Sequence, residues 1–302
     1  MVNISYFLLL PKNHYLCPMK SLEQIIEPIT AELQQFEIFF DKTLKADTEP
    51  MDSIMRYVLD TRGKRLRPIL VLLGAKMFGE INEQTLRAAT FVEMVHSATL
   101  IHDDVVDDSD SRRKKASVKA RFSKLSAVLA GDYLLAKAML LLAHPDDYAI
   151  LQEMLRTTAA MSEGELMQSC PCHSEAFEGL DTLALQARYD MPSKAEANLW
   201  ATRYLDIITR KTAMLMRSCC VAGALSVGAT PEQVQQIARF GLNFGILFQL
   251  RDDLIDGENT SIAKALMPTY YEKNLKTLEG FAPSEITESL RELTVFCAER
   301  GE

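Results

Sequence analysis

The chain has 302 residues, 48% of them hydrophobic, with a net charge of −8 and a pI near 5.3. That acidic balance argues against a nucleic-acid binder, so any anion site must be built from a local cationic cluster or a bound metal. Gly (13) and Pro (11) are scarce for this length, which favours helices over a strand-and-turn architecture.

Residues 1–18 contain the apolar stretch Ser5 to Leu10 but no basic n-region, and the stretch is short for a signal sequence. They are expected to be an upstream extension that need not be native; Met19 opens the domain, which runs over 19–302. From 21 to 45, apolar residues recur at helical spacing (Leu22, Ile25, Ile26, Ile29, Leu33, Phe36, Phe39), with Pro28 placed to kink the helix. "GKRLRPILVLLGAKMFG" starts as a cationic loop and runs into a buried helix. "TLRAATFVEMVHSATLIHDD" is a long helix with an acidic end. "AVLAGDYLLAKAMLLLA" is apolar nearly all round and is expected in the interior.

Another helix covers "YAILQEMLRTTAAMSEGELMQ". Residues 169–196 are polar and irregular and read as a surface excursion; helix resumes over 198–227. Thr230 and Pro231 are an N-cap and an N1 proline, opening a helix through "FGILFQLRDDLID". After Gly257 two short amphipathic helices are expected, broken near Pro283. With no strand of substance and no linker, the fold class is all-α, a single domain.

Six cysteines are scattered (Cys17, Cys170, Cys172, Cys219, Cys220, Cys297) without a secreted-type framework, which fits a reducing cytoplasm. "CPCH" at 170–173 supplies only three candidate zinc ligands and has no second cluster. No apolar run reaches the roughly 18 residues that would span a bilayer.

Chemistry concentrates in two acidic clusters. Asp103, Asp104 and Asp107 read D-D-x-x-D, as do Asp252, Asp253 and Asp256, and each set ends an apolar helix. The first and last Asp of each motif are i and i+4 and share a face. Like charges so placed repel by a few tenths of a kcal/mol per pair, roughly, and acids at a helix C-terminus oppose the macrodipole. A divalent cation relieves both costs, and Mg²⁺ suits one or two carboxylates completed by water and phosphate oxygen. Cations stand nearby: Lys64, Arg65 and Arg67 beside Gly63, the Arg112–Arg113 pair directly after the first motif, and Lys211 with Thr212 in an otherwise apolar helix. Metal, anion anchors and greasy helices together suggest a substrate with a diphosphate head and a hydrocarbon tail.

The motifs "GKRLRP", "VEMVHSATLIHDDVVDDSDSRR", "LAGDYLLA", "GELMQ", "IITRKTAML" and "FGILFQLRDDLID" carry a resemblance to the all-trans isoprenyl diphosphate synthases, of the bacterial polyprenyl (octaprenyl-like) type. It runs from about Met19 to Gly257, with a weaker return near the C-terminus. The resemblance implies mostly antiparallel helices around a deep central cavity, usually as a homodimer. It also implies condensation of isopentenyl diphosphate with an allylic diphosphate. Residue by residue, it implies that Asp103, Asp107 and Asp252, supported by Asp104, Asp253 and Asp256, hold Mg²⁺. Arg112, Lys211, Thr212 and Gln249 would meet the allylic diphosphate or its reacting end. Lys64, Arg67, His96 and Arg113 would bind isopentenyl diphosphate. Ala98 and Thr99, small residues five and four before Asp103, would leave the product tunnel open beyond farnesyl length. Such a chain would be cytoplasmic, without a transmembrane segment or nucleic-acid partner, and its product would pass to the membrane.

The chain departs from the family pattern in two places. Lys114 and Ala116 replace the usual Gly and Pro after the arginine pair, and the region after Asp256 is shortened, lacking the usual Gly-Lys loop; Lys264 is not at its spacing. The shortened region keeps open a low-activity subunit of a heteromeric synthase. A terpene cyclase on the same fold is the other alternative, disfavoured because it has no second diphosphate to hold.

Overall fold

The computed structural model describes residues 20–60, 63–169 and 194–299, with side chains from 201 in the last stretch. The N-terminal extension at 1–18, "CPCH" and most of the 169–196 excursion lie outside the described residues. Helices account for nearly everything else. A single turn, α1 (Leu22–Ile25), is capped by Ser21 and passes through a 3₁₀ turn at Glu27–Ile29 into α2 (Thr30–Leu44). Pro28 therefore divides the expected helix, because it lacks the N–H that an α-helical ladder needs. Next come α3 (Met51–Leu59), α4 (Leu66–Lys76) and the 24-residue α5 (Glu83–Val106).

A two-residue hairpin follows, β1 (Ser111–Arg112) pairing antiparallel with β2 (Lys115–Ala116). Its turn residues Arg113 and Lys114 have φ of 51° and 65°, so Lys114 occupies a left-handed position where glycine costs least. The remaining elements are α6 (Val118–Arg121), α7 (Lys124–Leu141), α8 (Tyr148–Ser169), α9 (Lys194–Ile208), a π-helical turn at Thr209–Ala213, α10 (Met214–Ser226), α11 (Pro231–Asp256), α12 (Thr260–Leu278) and α13 (Glu285–Glu299).

The core is built on α4, α5, α10 and α11. Helix α10 is buried along nearly its whole length, and α4 from Pro68 to Ala75. These two helices touch backbone to backbone: a Cβ on Gly223 would lie 2.1 Å from the Val71 carbonyl oxygen, and one on Gly74 would lie 2.8 Å from that of Cys220. Helix α11 starts as expected, with the Thr230 side chain accepting from Gln233 N and Pro231 at N1, and stops at Gly257 with φ 77°.

Two expectations need correction. The helices after Gly257 are not short, at 19 and 15 residues. Nor is α7 interior. One face (Ala127, Ala130, Gly131, Leu134, Ala138) packs on α5, while Leu125, Val128, Leu129, Met139 and Leu140 are exposed, Leu140 at 75%. A helix apolar on all sides gives no signal of which face finds a partner within the chain. Small residues decide it here, since a Cβ on Gly131 would lie 2.2 Å from His102 Nε2.

The α4–α10 crossing yields a direct expectation. Gly223→Ala forces the two backbones apart and lowers unfolding free energy by about 1–3 kcal/mol, read from chemical denaturation.

Candidate active site

The five aspartates after Ile101 do three different things. Asp104, buried at 2% exposure, accepts from Arg112 Nε at 2.7 Å. Asp108 and Asp110 both pair with Lys119 Nζ at 3.0 Å, and Asp108 also with Lys124. Lys124, then Lys119, holds the Asp108 carboxyl below its ordinary pKa. That leaves Asp103, half-buried, and Asp107, exposed, as the pair on the open face of α5.

The second cluster repeats the division. Asp253 is buried: its Oδ1 accepts from Gln249 Nε2 at 2.7 Å, and its Oδ2 from Tyr204 Oη at 2.6 Å and Asn259 Nδ2 at 3.3 Å. Asp252 is half-buried and Asp256 exposed. Successive helical residues differ by about 100°, so the second Asp of each motif turns inward when the first and last face out. Asp104 and Asp253, expected to support the metal, are buried and hydrogen-bonded inside the protein. Arg112, expected on the diphosphate, has its Nε committed to Asp104.

A chain of contacts joins the two ledges. Asp103 feels Glu165 and Lys211, and Lys211 Nζ pairs with Glu165 Oε2 at 2.6 Å. Thr212, beside Lys211, donates to Gln249 Oε1 at 2.8 Å, and Gln249 reaches Asp253. The π-helical turn carries Lys211 and Thr212; such turns recur at functional sites because the extra residue redirects side chains. Gly164 allows the approach, since a Cβ there would lie 2.8 Å from Lys211 N. Lys211, Thr212, Gln249, Asp253 and Tyr204 line one cavity of about 310 Å³.

Burial, followed by Glu165, raises the Asp103 pKa to about 6, with Asp107 adding to the effect. Such crowding of carboxylates is what a cation relieves. Among the described residues no three His, Cys, Asp or Glu side chains gather into a preformed metal cluster. The ledges offer carboxylate pairs, a donor set that fits an octahedral ion completed by water and phosphate oxygen.

A second cavity, about 630 Å³, is lined by Lys64, Arg67, His96 and Arg113 together with Phe244, Phe248, Leu293 and Phe296. Arg67 Nη1 lies 2.9 Å from His96 Nε2. Burial and then Arg67 push the His96 pKa well down, so the ring is neutral and Nε2 accepts. Arg67 Nε is buried with no hydrogen-bond partner, a donor waiting for an acceptor. The Arg113 guanidinium lies against Gly63, where a Cβ would be 2.6 Å from both Nη atoms. Arg65 also lines this cavity, but its guanidinium is paired with Glu37 at 2.7 Å and Glu93 at 2.6 Å, over the Phe40 ring.

The chain-length candidates separate. Thr99 is about 40° round the helix from Asp103, and Ala98 about 140°. Thr99 is half-buried, with its hydroxyl donating to the His96 carbonyl; Ala98, expected on or beside the ledge face, is wholly buried.

A family model described as polyprenyl synthetase matches residues 48–265. The chain belongs to the polyprenyl synthetase family. It is 32% identical over 235 residues to an all-trans-nonaprenyl-diphosphate synthase (geranyl-diphosphate specific) of Rhodobacter capsulatus, covering 78% of this chain and 65% of that protein. It is 31% identical over 233 residues to heptaprenyl diphosphate synthase component 2 of Geobacillus stearothermophilus, covering 77% of this chain and 66% of that one. The match thus spans just under two thirds of these relatives. The fold is shared with a polyprenyl synthase from Caulobacter crescentus CB15 complexed with calcium and isoprenyl diphosphate, at TM-score 0.76 and 23% identity, covering 95% of this chain and all of that one.

Within this family site, Tyr204, Glu165 and Glu93 went unread in the sequence. Glu93 and Glu165 lay inside the quoted motifs "VEMVHSATLIHDDVVDDSDSRR" and "GELMQ" without being singled out; Tyr204 lay in none.

The inward and outward aspartates are separable by experiment. Asp104→Ala removes a buried charge-assisted bond and lowers unfolding free energy by about 2 kcal/mol. Asp107→Ala shifts it by less than about 0.5 kcal/mol. Urea titrations of the two variants check the contrast.

Proposed function

We propose that this chain is a Mg²⁺-dependent prenyltransferase that condenses isopentenyl diphosphate with an allylic diphosphate, giving an all-trans polyprenyl diphosphate longer than farnesyl. The observation that carries the reading is the second anion pocket. Lys64, Arg67 and Arg113 surround a cavity distinct from the one beside the ledges, and Arg67 Nε has no protein acceptor. A cyclase handles one diphosphate and has no use for a second pocket.

Asp103, Asp107, Asp252 and Asp256 would hold the metal, with Lys211 between the ledges. The bound ions supply Lewis acidity toward the departing diphosphate. Thr212 has its proton on Gln249, so its oxygen lone pairs face the allylic cation. Arg67 and Arg113 hold the isopentenyl diphosphate, and neutral His96 orients Arg67. Phe244, Phe248, Ile207 and Ile208 keep water from the cation. The proton lost after attack by the isopentenyl double bond passes to the released diphosphate, so no serine or cysteine nucleophile is required.

A homodimer fits the exposed apolar face of α7, with Leu129 at 51% and Leu140 at 75% exposure. The Geobacillus relative is component 2 of a synthase, which keeps a second reading in view: a subunit active only beside a partner. Both substrates are water-soluble, and Cys219, Cys220 and Cys297 form no disulfide, in keeping with a cytoplasmic enzyme that passes its product to the membrane. No single described helix is long and apolar enough to cross a membrane.

The purified chain, incubated with isopentenyl diphosphate, a labelled allylic diphosphate and Mg²⁺, is expected to yield products longer than fifteen carbons on chromatography. Silence alone, with activity on adding a partner subunit, would favour the heteromeric reading. Thr99→Tyr is expected to shorten the product without stopping the first condensation. An unchanged product distribution would show that the tail does not pass Thr99.

A further inference from the structure

Tyr204 lies on α9 and belongs to neither acidic motif. Its hydroxyl makes the shortest contact to Asp253, 2.6 Å to Oδ2, and its side chain is buried. The other donor to that oxygen, Asn259 Nδ2, is at 3.3 Å. Oδ1 is taken by Gln249 Nε2 at 2.7 Å.

An ionised carboxylate only accepts hydrogen bonds, so Gln249 must show it the amide nitrogen. The Gln249 oxygen then faces Thr212 and takes its proton at 2.8 Å. The polarity of the whole series is set at Asp253 and read out at Thr212, whose lone pairs are left to face a developing positive charge. A reversed amide would make Thr212 present its proton instead, the wrong sign for a cation.

Asp253 is also adjacent in sequence to Asp252, a ledge carboxylate. Without the Tyr204 hydroxyl, Oδ2 retains only the long bond from Asn259. The carboxylate is then free to swing toward a divalent ion held at Asp252 and Asp256, and in swinging it releases Gln249. We propose that Tyr204 is a positioning residue: by holding Asp253 inward it withholds that carboxylate from the metal and fixes the direction of the Gln249–Thr212 pair. This rests on the prenyltransferase reading for its catalytic consequence, but its effect on metal binding does not.

The test is a double-mutant cycle in the full chain, using Tyr204→Phe, Thr212→Val and the pair, with Mg²⁺ binding measured beside turnover. Tyr204→Phe is expected to lower kcat about tenfold while KM for isopentenyl diphosphate stays within about twofold. In the Thr212→Val background it should change kcat less than about twofold, because the pair it orients is already broken. Titration of Mg²⁺ in the presence of inorganic diphosphate, followed by calorimetry, should show at least about threefold tighter ion binding in Tyr204→Phe, as Asp253 joins the ledge. The same loss of kcat in both backgrounds would overturn the proposal, since a purely structural brace acts independently of Thr212. So would unchanged Mg²⁺ affinity in the folded variant, whether or not the chain elongates prenyl chains. Failure of the wild-type chain to elongate any allylic diphosphate would count against the prenyltransferase reading alone.

Discussion

Electrostatic crowding at two helix ends constrains the rest of the structure. Each D-D-x-x-D motif puts three carboxylates into little more than one helical turn, at the end where the dipole already opposes them. The protein satisfies one of the three internally and leaves one half-buried and one exposed on the open side. At the first motif the internal partner is Arg112, on the hairpin that follows; at the second it is the Tyr204–Gln249–Asn259 set. Both solutions use elements that must return to the helix end from elsewhere. The hairpin, the π-helical turn and the start of α12 all converge there.

The cationic side is arranged with the same economy. Lys119 absorbs Asp108 and Asp110, and Arg65 is absorbed by Glu37 and Glu93. The larger cavity also holds Lys64, Arg67 and Arg113; Arg67 has a buried donor unpartnered, and the Arg113 guanidinium lies against Gly63. The backbone is left-handed at Arg65 and Arg113, with φ of 56° and 51°. Strained backbone of this kind is kept where a site requires it.

Core packing makes the site rigid enough for such distinctions to matter. Helices α4 and α10 meet through Gly74 and Gly223, and Gly164 brings α8 onto the π-helical turn. The Glu165–Lys211 pair and the Thr212–Gln249 bond therefore have little freedom to drift. By contrast, the exposed apolar face of α7 has no partner within the described chain, and the packing of α5 alone cannot use it.

The all-α class, the helix starts at Thr230 and after Gly63, the division at Pro28 and the two acidic ledges were legible in the amino-acid order. Each depends on local physics: periodicity, a capping hydroxyl, a missing N–H, or i to i+4 spacing. Lys64, Arg67 and Arg113 stood out as cations, but their grouping with His96 in one pocket came only through the resemblance of motifs, since they belong to three separate segments. What the order of residues left open was which member of each charged run turns inward. Asp104 and Asp253 looked no different from their neighbours. They turn inward because Arg112 and Tyr204 wait for them, and those partners are eight and 49 positions away. The exposed face of α7 and the inward side of Ala98 were hidden for the same reason. A uniform apolar run fixes that a helix forms, and only the placement of its neighbours decides which side they cover.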